Sequence, residues 1–394
     1  MLNTSFEPWP SFTQEEADAV SRVILSNKVN YWTGTECREF EKEFAAYTQT
    51  KYAVALMNGT VALDVALKAL NIGAGDDVIV TSRTFLASAS AIVTAGANPI
   101  FADVELDSQN ISRRTIEAVL TPNTKAIICV HLAGWMCDMD PIMALAKEKG
   151  LYVIEDCAQA HGAMYKGKPA GSVGHIGAWS FCQDKIMTTG GEGGMVTTND
   201  ERLWKKMWSY KDHGKDFDSV YNKQHPPGFR WLHDSFGTNW RMLEVQAVIG
   251  RIQLKRMADW TAQRNKNMQF VLDSFGDTPF FTVHKPSEDY VHAAYKCYVQ
   301  VNLQALPEGW TRDRIMQVIN DQQVPCYSGS CSEVYLEKAF DNTPWRPKVR
   351  LKNAVNLGES SLMFLVHPTL SENSLERCRQ AIKHVIQQLA AEAK

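Results

Sequence analysis

Lys185 stands between an apolar run, Ile176 to Phe181, and a glycine cluster at Gly190, Gly191, Gly193 and Gly194, with two threonines in between. A solvated lysine normally sits on a helix face among other charges. One that follows buried-looking residues and precedes backbone free to take positive φ can be held partly desolvated, a setting that favours a nucleophilic amine able to attack a carbonyl. The competing reading is a lysine capping a surface turn. Asp156 is the second candidate. It closes the apolar run Tyr152-Val-Ile together with Glu155, and Gln159 and His161 follow closely. A carboxylate at the end of a buried strand has to be paired. It either caps a helix or meets a cationic heterocycle nitrogen, with Gln159 donating to a neighbouring oxygen. The third candidate is Asn58-Gly59-Thr60, set between a short strand, Tyr52 to Leu56, and a helix with Leu63, Ala66, Leu67 and Leu70 on one face. Strand, small residues, helix is an arrangement that offers free N–H groups and a positive dipole end to a phosphate. A well-capped helix start has the same pattern.

Elements that could position these residues alternate along the chain. Strands are expected at Asp77 to Val80, Pro99 to Asp103, Ala126 to His131, Tyr152 to Glu155, Ala178 to Phe181 and Met195 to Thr198. Helical segments lie near Ser88 to Ala95, Arg114 to Leu120 and Ile142 to Lys149. Such alternation predicts an α/β fold with a mostly parallel sheet and helices on both faces. Ligands of such sheets bind beyond the carboxyl ends of the strands. That singles out Asn58 to Thr60, Phe85, His131, Asp156 to His161, and Lys185. Upstream, Thr13 and Glu16 form a capping box for a first helix. Downstream, Met242 to Met257 reads as a helix, and Asp259 to Phe281 as a long helix and then a turn. The remainder has an α+β texture, with a strand near Tyr295 to Val301, a helix from Thr311 to Asn320, a strand at Val324 to Tyr327 and a terminal helix from Leu375 to Ala391. The expected division is a large α/β domain over 1–255 and a smaller C-terminal α+β domain over 256–394.

Composition narrows the function classes. The 394 residues, 45% hydrophobic and 22% charged, describe a globular chain with ample core material. A net charge of −3 without a long basic run argues against a nucleic-acid binder or a membrane-surface protein. Nine cysteines form no CxxC pair, so they read as reduced, buried thiols and not as a zinc or disulfide framework, and no metal is expected. No leader and no run of transmembrane length is visible, which leads to the expectation of a cytoplasmic protein. Between Glu201 and Arg241, aromatic residues from Trp204 to Trp240 are interleaved with charges. Without a basic excess they read as packing over an active-site mouth or into a subunit interface.

In order and spacing, these residues resemble the DegT/StrS-like family of sugar aminotransferases. The resemblance is carried by Phe40-Glu-Lys-Glu-Phe-Ala, Asn58-Gly-Thr-Val-Ala-Leu63, Thr84-Phe85-Leu-Ala, Val153-Ile-Glu-Asp156-Cys-Ala-Gln159-Ala-His161-Gly, Ser180-Phe-Cys-Gln-Asp-Lys185, Asn239-Trp-Arg-Met and His367-Pro. It implies a fold type I, aspartate-aminotransferase-like scaffold and pyridoxal 5′-phosphate as cofactor. Carried onto matching positions, it implies that Lys185 holds the cofactor covalently and then moves a proton, and that Asp156 pairs with the ring nitrogen. Gln159 would touch the phenolic oxygen. Phe85 would stack on the ring, the other reading being a core aromatic. Gly59, Thr60 and Ser180 would bind the phosphate, and Asn239 would reach it from a neighbouring subunit, which makes the active unit a homodimer. His161 is a weaker candidate, either a substrate contact or a satisfied histidine behind the site. The implied reaction moves nitrogen from L-glutamate, leaving 2-oxoglutarate, to a keto or aldehydo sugar for envelope polysaccharide.

Two departures bear on the acceptor. The family pattern Lys-x-x-Thr-Thr-Gly-Glu-Gly-Gly has an extra glycine here, and a His-Tyr-x-Pro stretch found in nucleotide-sugar members is replaced by Tyr327-Ser-Gly-Ser-Cys-Ser-Glu333. No cation in that run meets a diphosphate, and the hydroxyls of Ser328, Ser330 and Ser332 could hold a small hydroxyl-rich acceptor. These features resemble the subgroup that makes 8-amino-3,8-dideoxy-octulosonate, which is the expected acceptor chemistry. The alternatives are a nucleotide-linked 3- or 4-ketohexose aminotransferase and a cofactor-binding regulator that no longer turns over.

Overall fold

The computed structural model describes residues 6–393. The short apolar runs lie side by side as β1 (Tyr52–Leu56), β2 (Asp77–Thr81), β3 (Asn98–Ala102), β4 (Thr124–Val130) and β5 (Tyr152–Asp156). A small excursion follows, β6 (Met164–Tyr165) and β7 (Lys168–Pro169), before β8 (Ile176–Ser180) and β9 (Gly194–Thr198). Seven of these make one sheet in the order β1-β9-β8-β5-β4-β2-β3. The run β8, β5, β4, β2, β3 is parallel throughout. Strand β9, expected only as one more strand, runs antiparallel to both neighbours, β1 and β8. The reason is the connection: β8 and β9 are joined by the lysine and glycine loop with no crossover helix, and a parallel return needs such a crossover.

Every residue of β2, β8 and β9 is buried, as a sheet covered on both faces requires. Successive side chains feed opposite layers. Ile79, Ile127 and Val153 join Phe40, Phe44 and Trp179 on one face, while Val78, Val80, Ile128 and Ile154 pack with Leu63 and Leu67 of helix Gly59–Ala69 on the other. The first helix, Gln14–Leu25, carries the Thr13/Glu16 capping box, and Glu16 also accepts from Arg256 at 2.6 Å. The helix expected over Met242 to Met257 is Glu244–Lys255, and the long helix expected after it is Met257–Asp273, the two meeting at Arg256.

The C-terminal part contributes β10 (Phe281–Thr282), β11 (Tyr290–Val291), β12 (Cys297–Val301), β13 (Cys326–Tyr327) and β14 (Ser361–Phe364). Four of them form an antiparallel sheet, β10-β12-β14-β13, with β12 and β14 packing with helices Arg312–Asp321 and Glu372–Glu392 around a third core. β11 pairs instead with β6 of the excursion. Val334, Tyr335 and Phe340 return to the core of the large sheet, so the chain after residue 255 covers both sheets. Among the aromatics between 204 and 240, Trp208, Phe217 and Tyr221 pack on one another, whereas Phe229 and Trp231 are exposed. All nine cysteines are free. Among the described residues no helix is long and apolar enough to cross a membrane.

Candidate active site

The carboxyl ends of β1, β5 and β8 and the loop after β8 enclose a cavity of about 480 Å³. Asn58, Gly59 and Thr60 line it from the start of helix Gly59–Ala69. The Asn58 side chain accepts from the Val61 N–H at 3.0 Å. The amides of Gly59 and Thr60 lie in the first turn, where no intrahelical partner exists. Glycine is required at 59 by a close approach: a Cβ there would lie 2.5 Å from Ser180 Cβ. Ser180, the last residue of β8, thus sits directly against the helix start, and both line the cavity. Phe85 precedes helix Leu86–Thr94, lines the same space and is 73% exposed. That exposure removes the core-aromatic reading.

Asp156 closes β5 and is 6% exposed. Its Oδ2 accepts from the Ser88 hydroxyl at 2.8 Å and its Oδ1 from the Ala158 N–H at 3.2 Å. Burial pushes its carboxyl above the usual carboxylate range, against the pull of Ser88 and Ala158. Such a group is stabilised by a cation arriving from the cavity side. Gln159 Oε1 accepts from the Ala133 N–H at 2.8 Å, which leaves the amide NH₂ as donor to whatever the cavity holds. Lys185 lies in a loop pinned by its backbone: its N–H donates to Cys182 O at 3.1 Å, and its carbonyl accepts from the Trp9 indole at 2.8 Å. Thr188 and Thr189 fix the rest of the loop, donating to Phe181 O at 2.9 Å and Glu192 O at 2.6 Å. Gly190 and Gly191 both take positive φ, 86° and 120°, so the extra glycine serves the turn. The Lys185 ammonium sits 3.4 Å from Asp184 and 5.3 Å from the centroid of the Tyr295 ring. The Tyr295 hydroxyl donates to Asp184. Burial raises the Asp184 carboxyl, but Lys185 and Tyr295 outweigh it and hold it below the usual range.

These features fit pyridoxal 5′-phosphate. The buried acid suits a protonated ring nitrogen, the helix start suits a phosphate, the exposed phenyl suits a ring face, and the half-buried lysine suits an aldehyde.

Four residues expected to meet the substrate, His161, Ser328, Ser330 and Ser332, do not line the cavity. His161 is fully buried against Trp179 and Phe181, with ring centroids at 5.1 and 5.6 Å, and does not line the cavity. It is a packing residue behind the sheet end, not a substrate contact. Ser328 and Ser330 also lie off the cavity wall. The Ser330 N–H donates to the Tyr298 hydroxyl at 2.8 Å, and the buried Ser332 hydroxyl donates to the Ala354 carbonyl. The Ser330 hydroxyl accepts from Tyr298 at 3.3 Å, and Ser328 is exposed. With none of the three serines on the cavity wall, the reason for expecting a small hydroxyl-rich acceptor is withdrawn. Asn239 is exposed, bridged through its backbone to Asp212, and does not line this chain's own cavity.

Sequence reasoning missed Ser88, Asp184, Tyr295 and Trp9. Ser88 carried a signal, its four-residue spacing from Thr84, with which it shares a hydrogen bond at 2.8 Å. Tyr295 and Trp9 reach Lys185 from distant parts of the chain and had none. His131, Glu155 and Cys157 form a buried group with metal-ligand chemistry. Glu155 there accepts from His131 at 2.8 Å and from the amides of Gly171, Val173 and Gly174, so its oxygens are already engaged.

A model of the DegT/DnrJ/EryC1/StrS aminotransferase family matches residues 10–383. The structure is similar to that of an aminotransferase from Psychrobacter cryohalolentis, with a TM-score of 0.97 and 64% identity, covering 98% of this chain and 100% of the other. A GDP-perosamine synthase of Escherichia coli O157:H7 is 40% identical over 72% of this chain and 74% of its own. A dTDP-3-amino-3,6-dideoxy-alpha-D-galactopyranose transaminase of Aneurinibacillus thermoaerophilus is 32% identical over 94% and 95% of the two chains.

Proposed function

We propose, because this chain belongs to the DegT/DnrJ/EryC1/StrS aminotransferase family and holds Gly59, Thr60, Phe85, Asp156, Gln159, Ser180 and Lys185 around one cavity, that it transfers an amino group from L-glutamate to a nucleotide-linked ketohexose. The protein is a pyridoxal 5′-phosphate-dependent aminotransferase of fold type I acting on keto sugars. The acceptor follows from two supports. The serine run that favoured an octulosonate does not line the cavity, and relatives bear the names of GDP- and dTDP-linked sugar enzymes. Envelope polysaccharide is the destination this reading gives the product.

One observation carries the assignment of roles: Asp156 and Lys185 line the same cavity of about 480 Å³ as the start of helix Gly59–Ala69. The bound cofactor supplies an electron sink for a carbanion. The chain supplies the rest. Lys185 would hold the cofactor through its Nζ and would carry a proton at that atom. Asp156 would keep the ring nitrogen protonated, with Ser88 orienting that carboxylate. Gln159 would donate to the phenolic oxygen, Phe85 would cover a ring face, and Gly59, Thr60 and Ser180 would hold the phosphate. Asn239 would complete the phosphate site of a second copy, making a homodimer the working unit; the exposed Phe229 and Trp231 supply apolar surface for that contact. The chain divides near residue 255 into the cofactor-binding part and a smaller C-terminal part.

The testing experiment loads the enzyme with aminated cofactor and adds a panel of acceptors. Return of the visible band with 3-keto or 4-keto nucleotide hexoses supports the reading. Return only with 8-oxo octulosonate overturns it.

A further inference from the structure

A second cavity, of about 500 Å³, adjoins the first and shares Asp184 with it. Its walls join Trp9 of the N-terminal segment, Arg264 of helix Met257–Asp273, Tyr295 and Lys296 just before β12, and His367. Arg264 is 1% exposed. Its guanidinium lies 4.7 Å from the centroid of the Trp9 ring, and its Nη1 donates a long bond of 3.4 Å to Ala294 O. Its Nε and Nη2 have no partner among the described residues.

A buried guanidinium with two unpartnered donor nitrogens is costly unless an anion meets it. The acids nearby are engaged elsewhere: Asp184 with Lys185 and Tyr295, Glu7 with the Ser374 hydroxyl at 2.8 Å. Burial holds the Arg264 guanidinium down to about 9, which a visiting anion relieves. Nε and Nη2 form the side of the guanidinium that takes a carboxylate through two parallel bonds. Tyr295 links the cavities, since its ring lies beside the Lys185 ammonium while its side chain lines the second space.

We propose that Arg264 is the seat of the amino donor's carboxylate, with Lys296 adding charge beside it. The proposal rests on the aminotransferase reading and assigns the second cavity to the donor half of the reaction. A carboxylate also occurs on acidic sugars, so the test separates the two sources. In the holoenzyme, Arg264→Gln is expected to weaken calorimetric binding of glutarate, a dicarboxylate with no amine, at least tenfold. It should raise the L-glutamate concentration for half-maximal loss of the visible band by a similar factor. The return half-reaction with the acceptor should stay within twofold of wild type. Unchanged glutarate binding, or a loss confined to the acceptor half, overturns the proposal. Should Arg264→Gln fail to fold or keep its cofactor, Arg264→Lys decides: charge without the fork is expected to weaken glutarate three- to tenfold, and equality with wild type refutes the assignment. A wild-type enzyme whose band ignores every amino acid would sink the aminotransferase reading itself, while the glutarate titration would still judge Arg264.

Discussion

Asp156→Asn isolates the acid that the site is built around. The substitution preserves volume, and the amide oxygen can still accept from Ser88, which donates at 2.8 Å in the parent. What is lost is the negative charge on a group only 6% exposed, whose carboxyl burial already pushes upward. Removing one member of a buried charge pair costs roughly 3–5 kcal/mol. At about 1.4 kcal/mol per factor of ten, and with the pair at full strength in the transition state, the donor half-reaction should slow by about two to four powers of ten. The assay is stopped-flow loss of the visible band under single turnover with saturating L-glutamate, with a thermal melt to confirm the fold. A rate within about fivefold of wild type, with cofactor bound, corresponds to less than about 1 kcal/mol and would refute the pairing of this acid with the ring nitrogen.

Gly59→Ala would place a Cβ 2.5 Å from Ser180 Cβ, a clash worth about 1–3 kcal/mol, and should lower cofactor retention on dialysis at least tenfold. Gly73→Ala, whose nearest new neighbour is 3.7 Å away, should retain cofactor like wild type. His161 is held at about 3 chiefly by burial, below the roughly 6.5 of an unfolded chain, so the unfolded state takes up a proton first as pH falls. Stability is therefore lost below about pH 6.5 at up to about 1.4 kcal/mol per unit, and His161→Phe should flatten urea-unfolding profiles between pH 6.5 and 5 while leaving turnover near pH 7 within twofold. Turnover lost at pH 7 without loss of fold would return this histidine to the substrate. Asn239→Ala should weaken cofactor retention, and mixed dimers with Lys185→Ala should recover about half-site activity; no recovery would place both residues in one chain's site.

The sequence made the sheet legible because buried strands are continuous apolar runs, and its alternation with helices fixes a parallel core. The direction of β9 was not legible, since an apolar run looks alike in either sense and only the helix-free loop before it decides. Asp156, Gln159, Gly59 and Lys185 were readable from their places just after strands, where this class of fold puts its ligands. His161 misled for the same reason: it follows β5 closely, but its ring turns under the sheet toward Trp179. Ser328 and Ser330 misled because a hydroxyl in sequence carries no direction, and Tyr298 claims the neighbourhood of Ser330 through contacts some thirty residues away. Arg264 lay inside an ordinary helix, and only the fold shows that its guanidinium is buried with Nε and Nη2 unpartnered among the described residues.

The central claim is that a single amine, that of Lys185, carries the cofactor. Borohydride reduction of the holoenzyme, followed by peptide mass spectrometry, reads it directly. The expected result is one pyridoxyl group per chain on the peptide containing Lys185, absent when L-glutamate is added before reduction. A label on another lysine, Lys296 included, or no label on a protein whose visible band is intact, would contradict the account.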